Sequence, residues 1–156
     1  MARVVCGVFT FILAAGLFPD WAVAQRAEGT FNLGPQVGQP AGLSVKVYRS
    51  PQTAYTSLFT TDGDDFASLR FHRLQERPLP DSLVYVYVGP GLFLGGKALD
   101  EDLPVAELGI SGQTGLNFFA ERFEVFVHVT PTVRLLPDLS FELGGSVGLR
   151  YVLWRP

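Results

Sequence analysis

From Phe123 to Leu135 the sequence switches between two kinds of side chain at every step. Phe123, Val125, Val127, Val129, Val133 and Leu135 share one parity with Pro131, and Glu124, Phe126, His128, Thr130, Thr132 and Arg134 share the other. Successive side chains of a β-strand point to opposite faces, whereas a helix would wrap both sets around one cylinder, so this segment reads as a strand. A turn at Leu136-Pro137-Asp138 follows. The pattern then resumes, with Phe141, Leu143, Gly145, Val147, Leu149, Tyr151 and Leu153 opposite Glu142, Gly144, Ser146, Gly148, Arg150, Val152 and Trp154.

The same period runs backwards through the chain, interrupted by short turn signals. Glu107 to Phe119 alternates Leu108, Ile110, Leu116 and Phe118 with Gly109, Ser111, Gln113 and Asn117. Before it, Val84, Val86, Val88, Leu92 and Leu94 oppose Tyr85, Tyr87, Gly89, Gly91 and Gly95. Phe31 to Val37, Leu43 to Tyr48, Ala54 to Phe59 and Phe66 to Leu74 give four more strands, the last two with looser alternation. Gln75 to Asp81 reads as a connection. Eight short-linked strands predict an all-β fold, an eight-stranded antiparallel up-and-down barrel.

Alternation leaves open which face is inside, and composition bears on that choice. Of 156 residues 47% are hydrophobic and only 17% charged, and the net charge is −3, which speaks against a disordered chain and against a nucleic-acid partner. The less apolar face combines small residues, Gly34, Gly89, Gly109, Ser44 and Ser111 among them, with Lys46, Arg70, His72, Glu107, Glu124, His128, Arg134, Glu142 and Arg150. Long charged chains set among glycines fit a narrow, charge-paired lumen better than a watery surface. The other face is then an apolar belt for lipid, and a closed barrel satisfies its backbone there without water. Phe118, Phe119, Phe123, Phe141, Tyr151 and Trp154 lie near strand ends as candidates for an aromatic girdle. The alternative is a soluble, lipocalin-like periplasmic barrel whose aliphatic face lines a pocket for a small apolar ligand.

Residues 1–24 read as an export signal. Arg3 precedes an apolar run from Val4 to Phe18, and Ala22-Val23-Ala24 offers a small-x-small site for cleavage before Gln25. The run is shorter than the ~20 residues of a spanning helix. Cys6, the sole cysteine, lies inside that signal and not where a lipoprotein cysteine would, so residues 25–156 form a single barrel domain without disulfides.

Four segments carry a family resemblance: "PAGLSVKVY" at Pro40 to Tyr48, "VYVYVGPGLFLGG" at Val84 to Gly96, "LGISGQTGLNFF" at Leu108 to Phe119, and "FEVFVHVTPTVRLLPDLSFELGGSVGLRYVL" at Phe123 to Leu153. In these the chain resembles the short, largely uncharacterised outer-membrane β-barrel proteins of diderm, Gram-negative bacteria, which share the shape of the OmpA/OmpX-like small barrels. The resemblance implies residence in the outer membrane, contact with its lipids and lipopolysaccharide, insertion by the barrel-assembly machinery, and for many such proteins no assigned activity. The chain departs from that pattern in two places: Arg155-Pro156 follow Trp154, and "FASLRFHRLQ" is unusually basic.

Three sets of residues invite chemistry. His128 and Ser146, with Glu124 or Glu142, have the types of a hydrolytic set acting on lipid A, but they share the lumen parity, out of reach of an acyl chain. Asp62, Asp64, Asp65, Asp100, Glu101, Asp102 and Asp138 gather at turns of one rim. They could attract Ca²⁺ or Mg²⁺, yet they form no complete calcium loop and read more simply as a solvated acidic rim. The lumen charges read as ion pairs that compensate one another, with little bore left for a porin-like pore. No cofactor, metal centre or catalytic residue is expected, and the barrel reads as a monomer with a structural or surface-interaction role.

Overall fold

The computed structural model describes residues 26–61, 66–97 and 105–156. Eight strands follow one another: β1 (Phe31–Gly38), β2 (Gly42–Ser50), β3 (Thr53–Thr61), β4 (Phe66–Pro78), β5 (Val84–Lys97), β6 (Val105–Ala120), β7 (Phe123–Leu136) and β8 (Ser140–Trp154). Each pairs antiparallel with the next, and β1 pairs with β8, so the sheet closes into an up-and-down barrel. Closure leaves no full-length edge strand to attract another chain. The export signal of residues 1–24, Cys6 and the acidic turns at 62–65 and 100–102 lie outside the described residues.

Burial follows the parity of the sequence. On β7, Glu124, Phe126, His128, Thr130 and Thr132 are buried, and Val125, Val127 and Val129 are exposed. The same reversal of the usual soluble pattern recurs around the circle, with Leu43, Phe59, Leu69, Leu92, Ile110 and Val147 exposed on six other strands. The interior is narrow enough that opposite strands meet through side chains, and its apolar contacts are few. Tyr48, Ala54, Tyr85 and Phe119 form one buried cluster near the end where β1 begins and β8 finishes. Tyr85 and Phe119 meet edge to face with ring centroids 5.8 Å apart, a favourable quadrupole arrangement.

That cluster corrects one expectation. Phe119 is 4% exposed and points inward, so it is no part of an outer girdle. It shares parity with Asn117, not with Phe118. Trp154 has the parity of the buried Arg150 and Val152 yet lies exposed. A bulge between Phe31 and Asn32 shifts the register, so that Trp154 faces Phe31 and Val152 faces Asn32. A further correction concerns β4. It extends to Pro78, so Glu76 is a fully buried strand residue and not part of a connection.

Candidate functional site

The interior side chains fall into layers along the barrel axis, set by the register of the strands. Nearest the end where β1 begins and β8 finishes, β2 contributes Lys46, β4 Glu76, β7 Glu124 and β8 Arg150, all fully buried or nearly so. Lys46 Nζ makes ion pairs with both Glu76 and Glu124. Glu124 also accepts from Arg150 at 3.1 Å, Asn117 at 3.0 Å and Asn32 at 3.0 Å. Glu76 accepts from the Tyr48 hydroxyl at 2.9 Å, Asn117 at 3.0 Å and Arg26 Nε at 3.2 Å. Arg150 in turn donates through Nε and Nη2 to Ser44 Oγ, at 3.0 and 2.8 Å, and lies 3.7 Å over the Phe126 ring. Two carboxylates thus hold three cations, Arg26, Lys46 and Arg150, in a volume closed to water. Such charges are tolerable because each charged group of the cluster is paired, although Arg26 Nη2, Asn32 Oδ1 and Asn117 Oδ1 have no hydrogen-bond partner among the described residues.

The middle layer is built of histidines, hydroxyls and an amide. His128 Nδ1 is hydrogen-bonded to Tyr87 Oη at 3.1 Å, and its ring stacks on Phe126. His72 Nε2 is hydrogen-bonded to Ser111 Oγ at 2.9 Å, and Thr56 donates to Gln113 at 3.4 Å.

At the far end the expected lumen charges do not join this interior set. Arg134 pairs with Glu142 and, at 3.5 Å, with Glu107, all three partly exposed at the rim. Glu142 lines the cavity at the mouth, its side chain half exposed where β8 rises to the rim. Arg70 is half-buried, donates to Thr132 Oγ1 at 3.0 Å and lies 4.9 Å over Phe93. The nine polar residues singled out from the sequence therefore separate into an interior cluster (Lys46, Glu124, Arg150), two histidines of the middle layer (His72, His128) and a rim group (Arg70, Glu107, Arg134, Glu142).

Ser146 and His128 occupy facing register positions, but their side chains take different partners. Ser146 Oγ donates to the Pro40 carbonyl at 2.9 Å, His128 is held by Tyr87, and Glu124 is held by Lys46 and Arg150. The geometry does not assemble these three into a hydrolytic set. The Ser111–His72 pair lies outside the sets that the sequence pattern suggests, and both of its members are buried. Among the described residues no cluster of His, Cys, Asp and Glu could hold a metal ion. Sequence reasoning missed Glu76, Arg26, Tyr48, Asn32 and Asn117. For Asn32, Tyr48 and Asn117 the signal was present, since each has the inward parity of its strand.

Among solved structures, the chain is similar to the crystal structure of the N-terminal β-barrel domain of Pseudomonas aeruginosa OprF, with a TM-score of 0.61 over 80% of this chain and 97% of that one. This chain is a small eight-stranded barrel of the same shape. At 13% identity the likeness is one of fold. No family model matches the sequence, and no curated protein matches it.

Proposed function

We propose that this is an outer-membrane β-barrel protein, exported by a signal removed near Ala24-Gln25, with a filled polar lumen and a structural or surface-interaction role. One observation carries the reading: large apolar side chains are exposed on every strand around the barrel while Lys46, Glu76, Glu124 and Arg150 are buried inside it. Monomeric soluble proteins seldom expose an apolar surface larger than a few hundred Å². Here it encircles the molecule, and the closed sheet leaves the backbone satisfied in hydrocarbon. Similarity of fold to an OprF barrel domain supports the same reading. A soluble ligand-binding barrel would need the opposite arrangement, with aliphatic chains inward and charges outward.

On this reading the barrel meets outer-membrane lipids and lipopolysaccharide through its belt, reaches the membrane through the barrel-assembly machinery, and acts as a monomer. Side-chain layers that cross the interior from β2 to β7 and from β4 to β6 leave no continuous bore for a porin. The test is fractionation of cells expressing the chain. The protein is expected in the outer-membrane pellet after an alkaline carbonate wash, with gel mobility that changes on boiling. Extraction by buffer without detergent would overturn the proposal.

A further inference from the structure

The barrel wall is lower on one side, and the low point opens into a cavity. β1 leaves the sheet at Gly38, opposite Ser146, while β8 runs on through Gly145 to Ser140. β2 begins at Gly42 and its last pair with β3 is Leu43 with Phe59, while β3 runs on to Thr61. The Gln39-Pro40-Ala41 turn therefore forms the sill of a notch whose sides are the upper parts of β8 and β3. The sill is fixed from below, because Gln36 and Ser146 both donate to the Pro40 carbonyl, at 2.8 and 2.9 Å. Behind it lies a cavity of about 540 Å³, bordered by Ala41, Thr60, Arg70, Thr130, Glu142 and Leu143 among others. Small-molecule sites commonly fall between about 300 and 1,000 Å³.

The two sides of this notch differ in chemistry. Outside, β8 presents Phe141 and Leu143, 67% and 65% exposed, as a continuation of the apolar belt past the end of β1. Inside, three polar atoms shielded from solvent have no hydrogen-bond partner among the described residues: Thr130 Oγ1, Thr60 Oγ1 and Arg70 Nε. Thr130 is 2% exposed, so its hydroxyl is not satisfied by bulk water. Buried polar groups are nearly always paired, and unpaired ones that gather at a cavity mark where a partner belongs. The ion pairs of this end are made by Arg134 with Glu107 and Glu142. Arg70 meets a hydroxyl and a ring; Glu142, which lines the same cavity, and Glu107 act on it electrostatically, but neither comes within ion-pairing distance and both are taken by Arg134.

We infer that the notch is a binding site for a single-chain amphiphile with a carboxylate head. The head receives a charge-assisted hydrogen bond from Arg70 and others from Thr130 and Thr60, and the chain leaves over the sill along Leu143 and Phe141. Pairing with a guanidinium and hydroxyls favours an anionic acceptor over a neutral alcohol. An apolar exit on the outer face favours a long chain over a short one. The site is distinct from the interior charge cluster, and it rests on the membrane reading only for the source of its ligand.

The test uses the full mature chain, folded and held in amphipol, so binding is read without a bilayer and independently of cell fractionation. The probe is dansyl-labelled undecanoate, displaced by dodecanoate, dodecanol or acetate. Saturable probe binding is expected, with dodecanoate displacing it at least tenfold more effectively than dodecanol, and acetate not displacing it. Arg70→Gln is expected to abolish the preference for the carboxylate, a change that general loosening of the barrel would not produce. Ala41→Trp, on the sill and outside the lumen, is expected to block the probe while boiling-sensitive gel mobility is kept. Absence of saturable binding by the unmodified chain overturns the inference. So does an Arg70→Gln protein that keeps the preference, or, should that variant not fold, an Ala41→Trp protein that binds as before.

Discussion

Glu124 concentrates the electrostatics of this molecule in one side chain. It has no exposure and takes hydrogen bonds from Lys46, Arg150, Asn32 and Asn117, which come from four different strands. Removing one partner of a buried pair costs far more than the pair contributes, since the charges left behind lose compensation where water does not reach. Glu124→Gln leaves Glu76 alone to balance Lys46, Arg150 and Arg26, and a loss of about 3–5 kcal/mol is expected. Glu142→Gln removes a half-exposed carboxylate from Arg134, which keeps Glu107, and the expected loss is under about 1 kcal/mol. Urea unfolding of the two variants in lipid vesicles, compared with the unmodified chain, checks the ordering. Equal losses would contradict the division into interior and rim. The sequence carries half of this picture. Glu124 and Arg150 sit inside strict alternation and can be placed by parity, whereas Glu76 lies in Leu-Gln-Glu-Arg-Pro, where a polar run before proline looks like a turn.

Strands differ in how plainly they are written. β5 to β8 mostly alternate outward aliphatic residues with inward small, aromatic or polar ones, interrupted at Pro90, Gly112, Thr114, Pro131 and Gly145, so most of their facing follows from the sequence. β3 buries Ala54, Thr56 and Leu58 and turns Tyr55, Ser57 and Phe59 outward, so both faces are mixed and period two is blurred. On β4 the outward face changes character, from Leu69 and Phe71 to Arg73, Gln75 and Arg77. Only pairing with β3 and β5 reveals that it continues as strand. The seam between β1 and β8 depends on a different property, close approach of the two backbones. A Cβ on Gly34 would lie 1.9 Å from the Leu149 carbonyl oxygen and 2.8 Å from Arg150 Cα, atoms that cannot swing aside. Gly112 on β6 has its nearest neighbour, Pro131 Cγ, at 3.7 Å, an ordinary contact. Gly34→Ala is thus expected to cost about 1–3 kcal/mol by overpacking. Gly112→Ala should fall within about 1 kcal/mol of the unmodified chain, because alanine there restricts the unfolded state as well. The fraction of each variant that retains boiling-sensitive mobility across a urea series gives both numbers. A Gly34→Ala barrel as resistant as Gly112→Ala would mean that the seam closes with room to spare.

At the scale of the whole molecule the question is what surrounds the belt, and two exposed positions distinguish the answers. Val129 lies in the middle of β7 and is 46% exposed; Leu153 lies one residue from the end of β8 and is 51% exposed. In water these two sites are nearly equivalent, and an arginine at either would be a surface substitution within about 0.5 kcal/mol of neutral. In a bilayer they are not. The cost of an outward arginine depends on depth, about 2–4 kcal/mol at the midplane and about 0–1 kcal/mol near the interface, where the guanidinium can reach headgroups. Val129→Arg is therefore expected to lower stability by several times more than Leu153→Arg when the protein is unfolded by urea from phosphatidylcholine vesicles. In a thicker bilayer the gap should persist or widen at Val129, because the arginine is then farther from water. The comparison is internal: both variants add the same charge, both sites expose a similar area, and neither touches the interior cluster. Matching stabilities for the two variants would place the belt in water and remove the physical basis of the membrane reading, whatever the resemblance of fold. A depth-dependent difference would tie the alternation of Phe123 to Leu135, legible in the order of the residues themselves, directly to the solvent for which it is patterned.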